Sequence, residues 1–205
     1  MATLEFLTRK LQSSDAEERR EAAVDLGRTG REAIPLLLRT LGDADWRVRK
    51  TAVEALIALG GDDVIQGLIQ CLSAHDNAGA RNSAIEALVH LGGGAVDALL
   101  SVLETPDVDV RKFIVDILGD IGDTRAVPAL IGKLDDPDEN IRVAAAESLG
   151  KIRDRRAVEP LIACLTRYDQ SWLDYAAAES LGEIGDERAL GPLIAALGRS
   201  SLRDP

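Results

Sequence analysis

The sequence predicts an all-α fold: an α-solenoid of about six helical hairpins plus one extra C-terminal helix, a single repeat domain over residues 1–205. Three observations carry this. The chain is 46% apolar but only 3% aromatic, which is low for a β-sandwich or barrel, whose strands favour aromatic and β-branched residues. Ala, Leu, Glu and Arg dominate, as in helices packed through small side chains. One leucine also recurs at steps of 30 to 32 residues: Leu11, Leu41, Leu72, Leu103, Leu134, Leu165, Leu197. A period of that size marks a stacked repeat.

Three further ladders run in phase. Leu26, Leu56, Leu88, Leu118, Leu149 and Leu181 form one. Arg19, Arg49, Arg81, Arg111 and Arg142 form another, broken by Asp174 in the sixth copy. Four residues before each of these lies an N-cap type: Asp15, Asp45, Asn77, Asp107, Asp138 and then Gln170. The hairpins are expected at about 2–30, 31–61, 62–93, 94–123, 124–154 and 155–186, with a partial one at 187–205.

Each hairpin holds two short helices. The first, as in Ala157 to Leu165, spaces its apolar residues by 3 and 4, a helical period. Pro35, Pro128, Pro160 and Pro192 lie near its start, where a missing N–H costs least. The second begins after the polar cap and ends at Gly30, Gly60, Gly92, Gly122 or Gly185, with Arg153 the exception. Glycine there tolerates the left-handed conformation that closes a helix. Neither helix buries its apolar stripe alone, so the pairs must stack.

Units such as Asn140 to Ile152, followed by Arg156 to Ile162, resemble the HEAT-like repeats named after phycobilisome lyases, over residues 2 to 199. The resemblance specifies the repeat and not an activity. It implies relatives of three kinds: bilin lyase subunits, deoxyhypusine hydroxylase, and many prokaryotic repeat proteins that only bind other proteins. The hydroxylase resemblance implies His-Glu dipeptides as iron ligands. Here His75 precedes Asp76 and His90 precedes Leu91, so that di-iron centre is excluded.

No zinc site is expected, because two His and two Cys are scattered without close ligand pairs. Cys71 and Cys164 occupy equivalent first-helix positions three hairpins apart and read as small core filler. Neither has the nearby base or cation of an activated thiolate. Gly92-Gly93-Gly94 falls on an ordinary turn, with no Lys-Ser or Lys-Thr after it, and is no phosphate cradle. No catalytic residues and no cofactor are expected. The arginine ladder is expected to form an Asp–Arg network between adjacent hairpins.

The open side of the second helices remains. Counting from the ladder arginine, the apolar stripe takes positions −1, +3, +7 and +10, so the opposite side centres on +5. That position reads Glu54, Glu86, Asp116, Glu147 and Glu179. Around it lie Lys50, Lys112, Lys151, Phe113, Tyr175, His90, Asp120 and Glu183, with an intrahelical Glu147–Lys151 pair expected. Phe113 and Tyr175 read as exposed aromatic anchors. The net charge is −11, of which residues 62–123 carry −8. The expectation is a non-enzymatic scaffold or adaptor, in the cytoplasm, binding a protein or peptide with a basic segment in the concave groove of the second helices. The alternative, implied by the resemblance, is a bilin lyase-like subunit acting on tetrapyrrole attachment or removal. An acidic chain without a long apolar run argues against nucleic acid and membrane as partners. The acidic line also speaks against the HEAT-like DNA glycosylases, which need a basic surface.

Two expectations concern the C-terminal region. Leu190, Leu193, Ile194 and Leu197 share one side of the last helix with no second helix to cover them, so either more hairpins follow or a second copy covers them. Tyr168, Trp172 and Tyr175 cluster where the arginine is missing and are expected to repack into the space it leaves.

Overall fold

A computed structural model describes the backbone of residues 3–165 and 171–200, and the side chains of 3–165 and 172–198. Among these residues it holds thirteen α-helices and no strand. The six second helices are α2 (Ala16–Thr29), α4 (Trp46–Leu59), α6 (Ala78–Leu91), α8 (Val108–Ile121), α10 (Glu139–Ile152) and α12 (Ser171–Ile184), all of 14 residues. The first helices are α1 (Leu4–Lys10), α3 (Ile34–Thr40), α5 (Asp62–Cys71), α7 (Val96–Val102), α9 (Val127–Lys133) and α11 (Val158–Cys164), and a further one, α13 (Leu190–Ser200), follows. The fold class is therefore the one the repeat predicts.

Local chemistry sets the helix ends. The side chains of Asp15, Asp45, Asn77, Asp107 and Asp138 accept from N–H groups two or three residues on. Each satisfies a donor that has no partner inside its helix. Gln170 lies outside the described residues. At the other end Gly122 takes a left-handed φ of 74°, and Arg153 does the same at 58° without being glycine.

The chain divides into two compact units, Met1–Leu99 and Leu100–Pro205. In the first, α4 packs between α2 and α6, while α1, α3 and α5 lie against their second helices. In the second, α10 packs between α8 and α12, with α9 and α11 against α10 and α12. Both leucine ladders contribute to these cores: Leu26, Leu56, Leu88, Leu118 and Leu149 of one, and Leu41 and Leu72 of the other, have no solvent exposure.

Second helices meet through small residues. The Ser148 hydroxyl donates to the Val115 carbonyl at 3.0 Å, and the Ser180 hydroxyl to that of Ala146 at 2.8 Å, both buried. Each serine sits over a glycine of the preceding helix, Gly119 and Gly150, where a Cβ would meet the serine within 3 Å. Gly27 faces Ala55 in the same way. Close approach therefore depends on a glycine at one register and a small residue at the next.

The arginine ladder works as a clasp. Arg19, Arg49, Arg111 and Arg142 each donate to the carbonyl six residues back, in the turn before their own helix. Arg19 also reaches Asp43, and Arg111 reaches Asp136, in the following hairpin. The expected link between hairpins is present at those two steps, but its carboxylates are not the N-cap aspartates, which are engaged by their own helices. The equivalent position in the third hairpin is His75, so Arg49 has no carboxylate there.

Candidate interaction face of the second helices

In the first unit, Lys50 and Glu54 are exposed on α4, and Glu86 and His90 on α6. The His90 ring lies 2.9 Å from the Glu86 carbonyl, which fixes it along its own helix. An open cleft of about 210 Å3 runs between the two helices, bounded by Trp46, Lys50, Gly79, Asn82 and Glu86. Trp46 is 61% exposed, an informative exception on a polar face. It was not among the residues singled out by register. Its place directly after the capping Asp45, in a first turn otherwise rich in charge, is the signal that could have found it.

In the second unit the acidic line is partly neutralised. Lys112 pairs with Asp116 at 2.8 Å along α8. Lys151 pairs with Asp120 at 2.6 Å, from α10 to α8, rather than with Glu147 on its own helix. The Asp120 carboxylate raises the Lys151 ammonium above its ordinary pKa, against the opposing effect of burial. The expected Glu147–Lys151 pair is thus replaced by a bridge between helices. Both partners of the bridge are nearly half exposed, so it contributes little to stability.

Glu147, Glu179 and Glu183 have no ion pair among the described residues, and neither have Glu54 and Glu86. The first three border an open cleft of about 210 Å3 between α10 and α12, together with Lys151 and Ser180. Tyr175, 68% exposed, lies one turn before Glu179 on α12, and Trp172 is 71% exposed. The expected repacking of these rings does not occur: both face solvent. Tyr168 lies outside the described residues.

Phe113 also departs from expectation. It is half-buried, not an exposed anchor. Its register is that of Ala144 and Ala176, each 2% exposed, so position +2 belongs to the seam between second helices.

The remaining chemistry is quiet. Burial pushes the Cys71 thiol up, away from thiolate character, and Cys164 is buried. His75 is an exposed turn residue, and Gly92–Gly94 form a 3-10 turn. Among the described residues no three His, Cys, Asp or Glu side chains cluster to hold a metal. No single helix there is long and apolar enough to cross a membrane.

Comparison with solved structures finds several similar helical-repeat proteins. The complex of CpcE and CpcF of phycocyanin lyase from Nostoc sp. PCC7120 is 28% identical, over 94% of this chain and 80% of that one, with a TM-score of 0.42. Human deoxyhypusine hydroxylase is 24% identical over 98% and 78%, at 0.43. An engineered protein is 25% identical over 97% and 62%, at 0.46. Comparison with curated proteins gives no match. The family model for HEAT repeats matches residues 4–89, 96–173 and 134–204, and with helices paired as the described residues pair them, the chain belongs to the HEAT repeat family.

Proposed function

We propose that this chain is a non-enzymatic interaction scaffold that holds a basic polypeptide segment on the open face of its second helices. One observation carries the reading. Glu54, Glu86, Glu147 and Glu179 recur at one register, exposed and without an ion partner among the described residues, and Glu183 lies one turn beyond Glu179. A carboxylate already paired offers a cation little, which removes Asp116 and Asp120 from the binding set. Exposed ion pairs are worth only about 0–1 kcal/mol each. Affinity therefore needs the aromatic rings beside them, Trp46 in the first unit and Tyr175 in the second, where a guanidinium or ammonium stacks on the ring face.

The test is binding of a labelled lysine- and arginine-rich peptide, read by fluorescence polarisation at low and physiological salt. Reversing Glu147 and Glu179 to Lys should weaken binding about tenfold, mainly by slowing association, and leave thermal stability unchanged. Tyr175→Ala should instead speed dissociation. Binding that ignores the double reversal at low salt refutes the reading. Covalent transfer of a bilin to an apo-protein by the purified chain would overturn its non-enzymatic part.

A further inference from the structure

We propose that the cleft between α4 and α6 binds the C-terminal residue of a partner polypeptide, a lysine or arginine with its free α-carboxylate. This rests on the basic-segment reading above and adds where such a segment ends. Two observations on different helices carry it. The first is on α4. Arg19 and Arg111 each turn the Nε and Nη2 edge of the guanidinium to an aspartate of the next hairpin, Asp43 and Asp136. Arg49 makes the equivalent Nη1 bonds, to the Asp43 and Ala44 carbonyls. Its Nε and Nη2 have no acceptor among the described residues. Asp43 and Asp136 stand six residues before Arg49 and Arg142, and in the third hairpin that place, six before Arg81, is His75. A Cβ on Gly79, in the first turn of α6, would lie 3.3 Å from Arg49 Nε, so this edge borders the cleft. Two parallel N–H donors on a planar fork fit a carboxylate.

The second observation is on α6. Ser83 is only 7% exposed and lines the same cleft. The other buried hydroxyls are bonded: Ser148 and Ser180 donate to the preceding second helix, and Thr40 to its own helix. Ser83 makes no hydrogen bond among the described residues, and a hydroxyl so buried is costly to leave without one. Asn82 beside it is exposed and likewise unbonded there. The cleft thus holds an unused fork on one wall and unused hydroxyl and amide groups on the other.

The charges name the occupant. Arg49 and Lys50 face the cleft from α4 and Glu86 from α6, and none of the three has an ion pair among the described residues. A C-terminal lysine or arginine carries both complementary charges. Its α-carboxylate suits Arg49 and Lys50, and its side-chain cation suits Glu86 and the exposed Trp46 ring. Its backbone N–H gives the Asn82 carboxamide and the Ser83 hydroxyl an amide partner. An internal aspartate would use the fork but leave Glu86 and the ring without a role. The cleft measures about 210 Å3. Sites that enclose a free small molecule run to about 300–1,000 Å3, so this one fits a single residue of a longer chain.

The test uses the full chain and a fluorescein-labelled hexapeptide ending in Lys-Arg, made as the free acid and as the C-terminal amide. Fluorescence polarisation should show the acid binding at least tenfold more tightly than the amide. His75→Asp supplies Arg49 with the carboxylate that Arg19 and Arg111 already have. It should preserve or raise the thermal midpoint while lowering affinity for the acid to that of the amide. Lys50→Gln, at an exposed position, should narrow the same preference, and Glu86→Gln should weaken both peptides alike. Equal binding of acid and amide overturns the proposal, as does an acid preference that survives both His75→Asp and Lys50→Gln. Free arginine displacing the acid as well as unlabelled peptide does would overturn the assignment to a polypeptide end. The basic-segment reading fails on a different result, binding indifferent to reversal of Glu147 and Glu179, so the two failures are distinguishable.

Discussion

The Arg111 guanidinium donates to both carboxylate oxygens of Asp136, at 3.1 and 3.4 Å, and so ties the fourth hairpin to the fifth. The two side chains are 12% and 3% exposed, and Asp136 also accepts from the Asp138 N–H and lies 3.5 Å from Lys133. One carboxylate thus closes the clasp and shapes the turn leading into α10. Asp136→Ala should lower unfolding free energy by about 2–3 kcal/mol, because it leaves a mostly buried cation and a backbone donor unpaired. Asp120→Asn, which cuts the exposed bridge to Lys151, should cost less than about 1 kcal/mol. Urea denaturation of the two variants checks the contrast, and equal losses would refute it.

Gly119 and Gly182 share a register and should respond oppositely to the same substitution. In a helix interior Gly→Ala gains about 0.5–1 kcal/mol from backbone entropy where the methyl has room. At Gly182 nothing among the described residues lies within 4 Å, so Gly182→Ala should stabilise by about that amount. At Gly119 the methyl would lie 2.8 Å from the Ser148 Cα, and backbone cannot swing aside as a side-chain tip can. Gly119→Ala should therefore destabilise, by about 1–3 kcal/mol, as overpacked seams do. Thermal unfolding of the pair is decisive; stabilisation by both would mean that the seam yields.

Arg153 is the one non-glycine residue with positive φ among the described residues, at φ 58° and ψ 31°. The left-handed region costs an ordinary residue about 1–2 kcal/mol, and glycine serves this position in five of the other hairpins. Arg153→Gly should raise the unfolding free energy by about 1 kcal/mol, measurable in urea. A loss of stability would mean that the arginine side chain contributes more than its backbone costs.

How far the sequence disclosed this molecule differs between backbone and site. Caps, turns and hairpin count were legible because each depends on residues within a few positions, such as Asp138 and the N–H groups of Asn140 and Ile141. Side-chain pairings were less so. Lys151 lies four residues from Glu147 but bonds Asp120, 31 positions away, because α8 and α10 pack side by side. Phe113 shows the same limit. A helical wheel with one buried stripe leaves position +2 open, whereas an interior second helix has three neighbours. Its own first helix and the second helices before and after it take three arcs, and the open arc narrows to positions near +5. Trp172 and Tyr175 stayed outside, where a missing arginine alone suggested they would turn in.

Acid should expose the cost of three local clamps. Asp45, Asp154 and Asp186 each accept from the N–H and the guanidinium of the arginine two residues on: Arg47, Arg156 and Arg188. The arginine side chain, then the backbone N–H, hold each carboxyl down to about 2. An unfolded aspartate titrates near 3.9. Because the folded value is the lower one, the unfolded chain binds protons first as pH falls. The stabilisation is therefore complete above about pH 4 and is lost progressively toward pH 2. Urea midpoints should stay level from pH 7 to 5 and decline from about pH 4 downward. Replacing Asp154 and Asp186 by Asn, which keeps an acceptor for the N–H but does not titrate, should flatten that decline. An unchanged slope in the double variant would place the acid sensitivity elsewhere, with Asp136 the next group to examine. Burial would raise that carboxyl, but the Asp138 N–H and Arg111 outweigh it and hold it below its ordinary value.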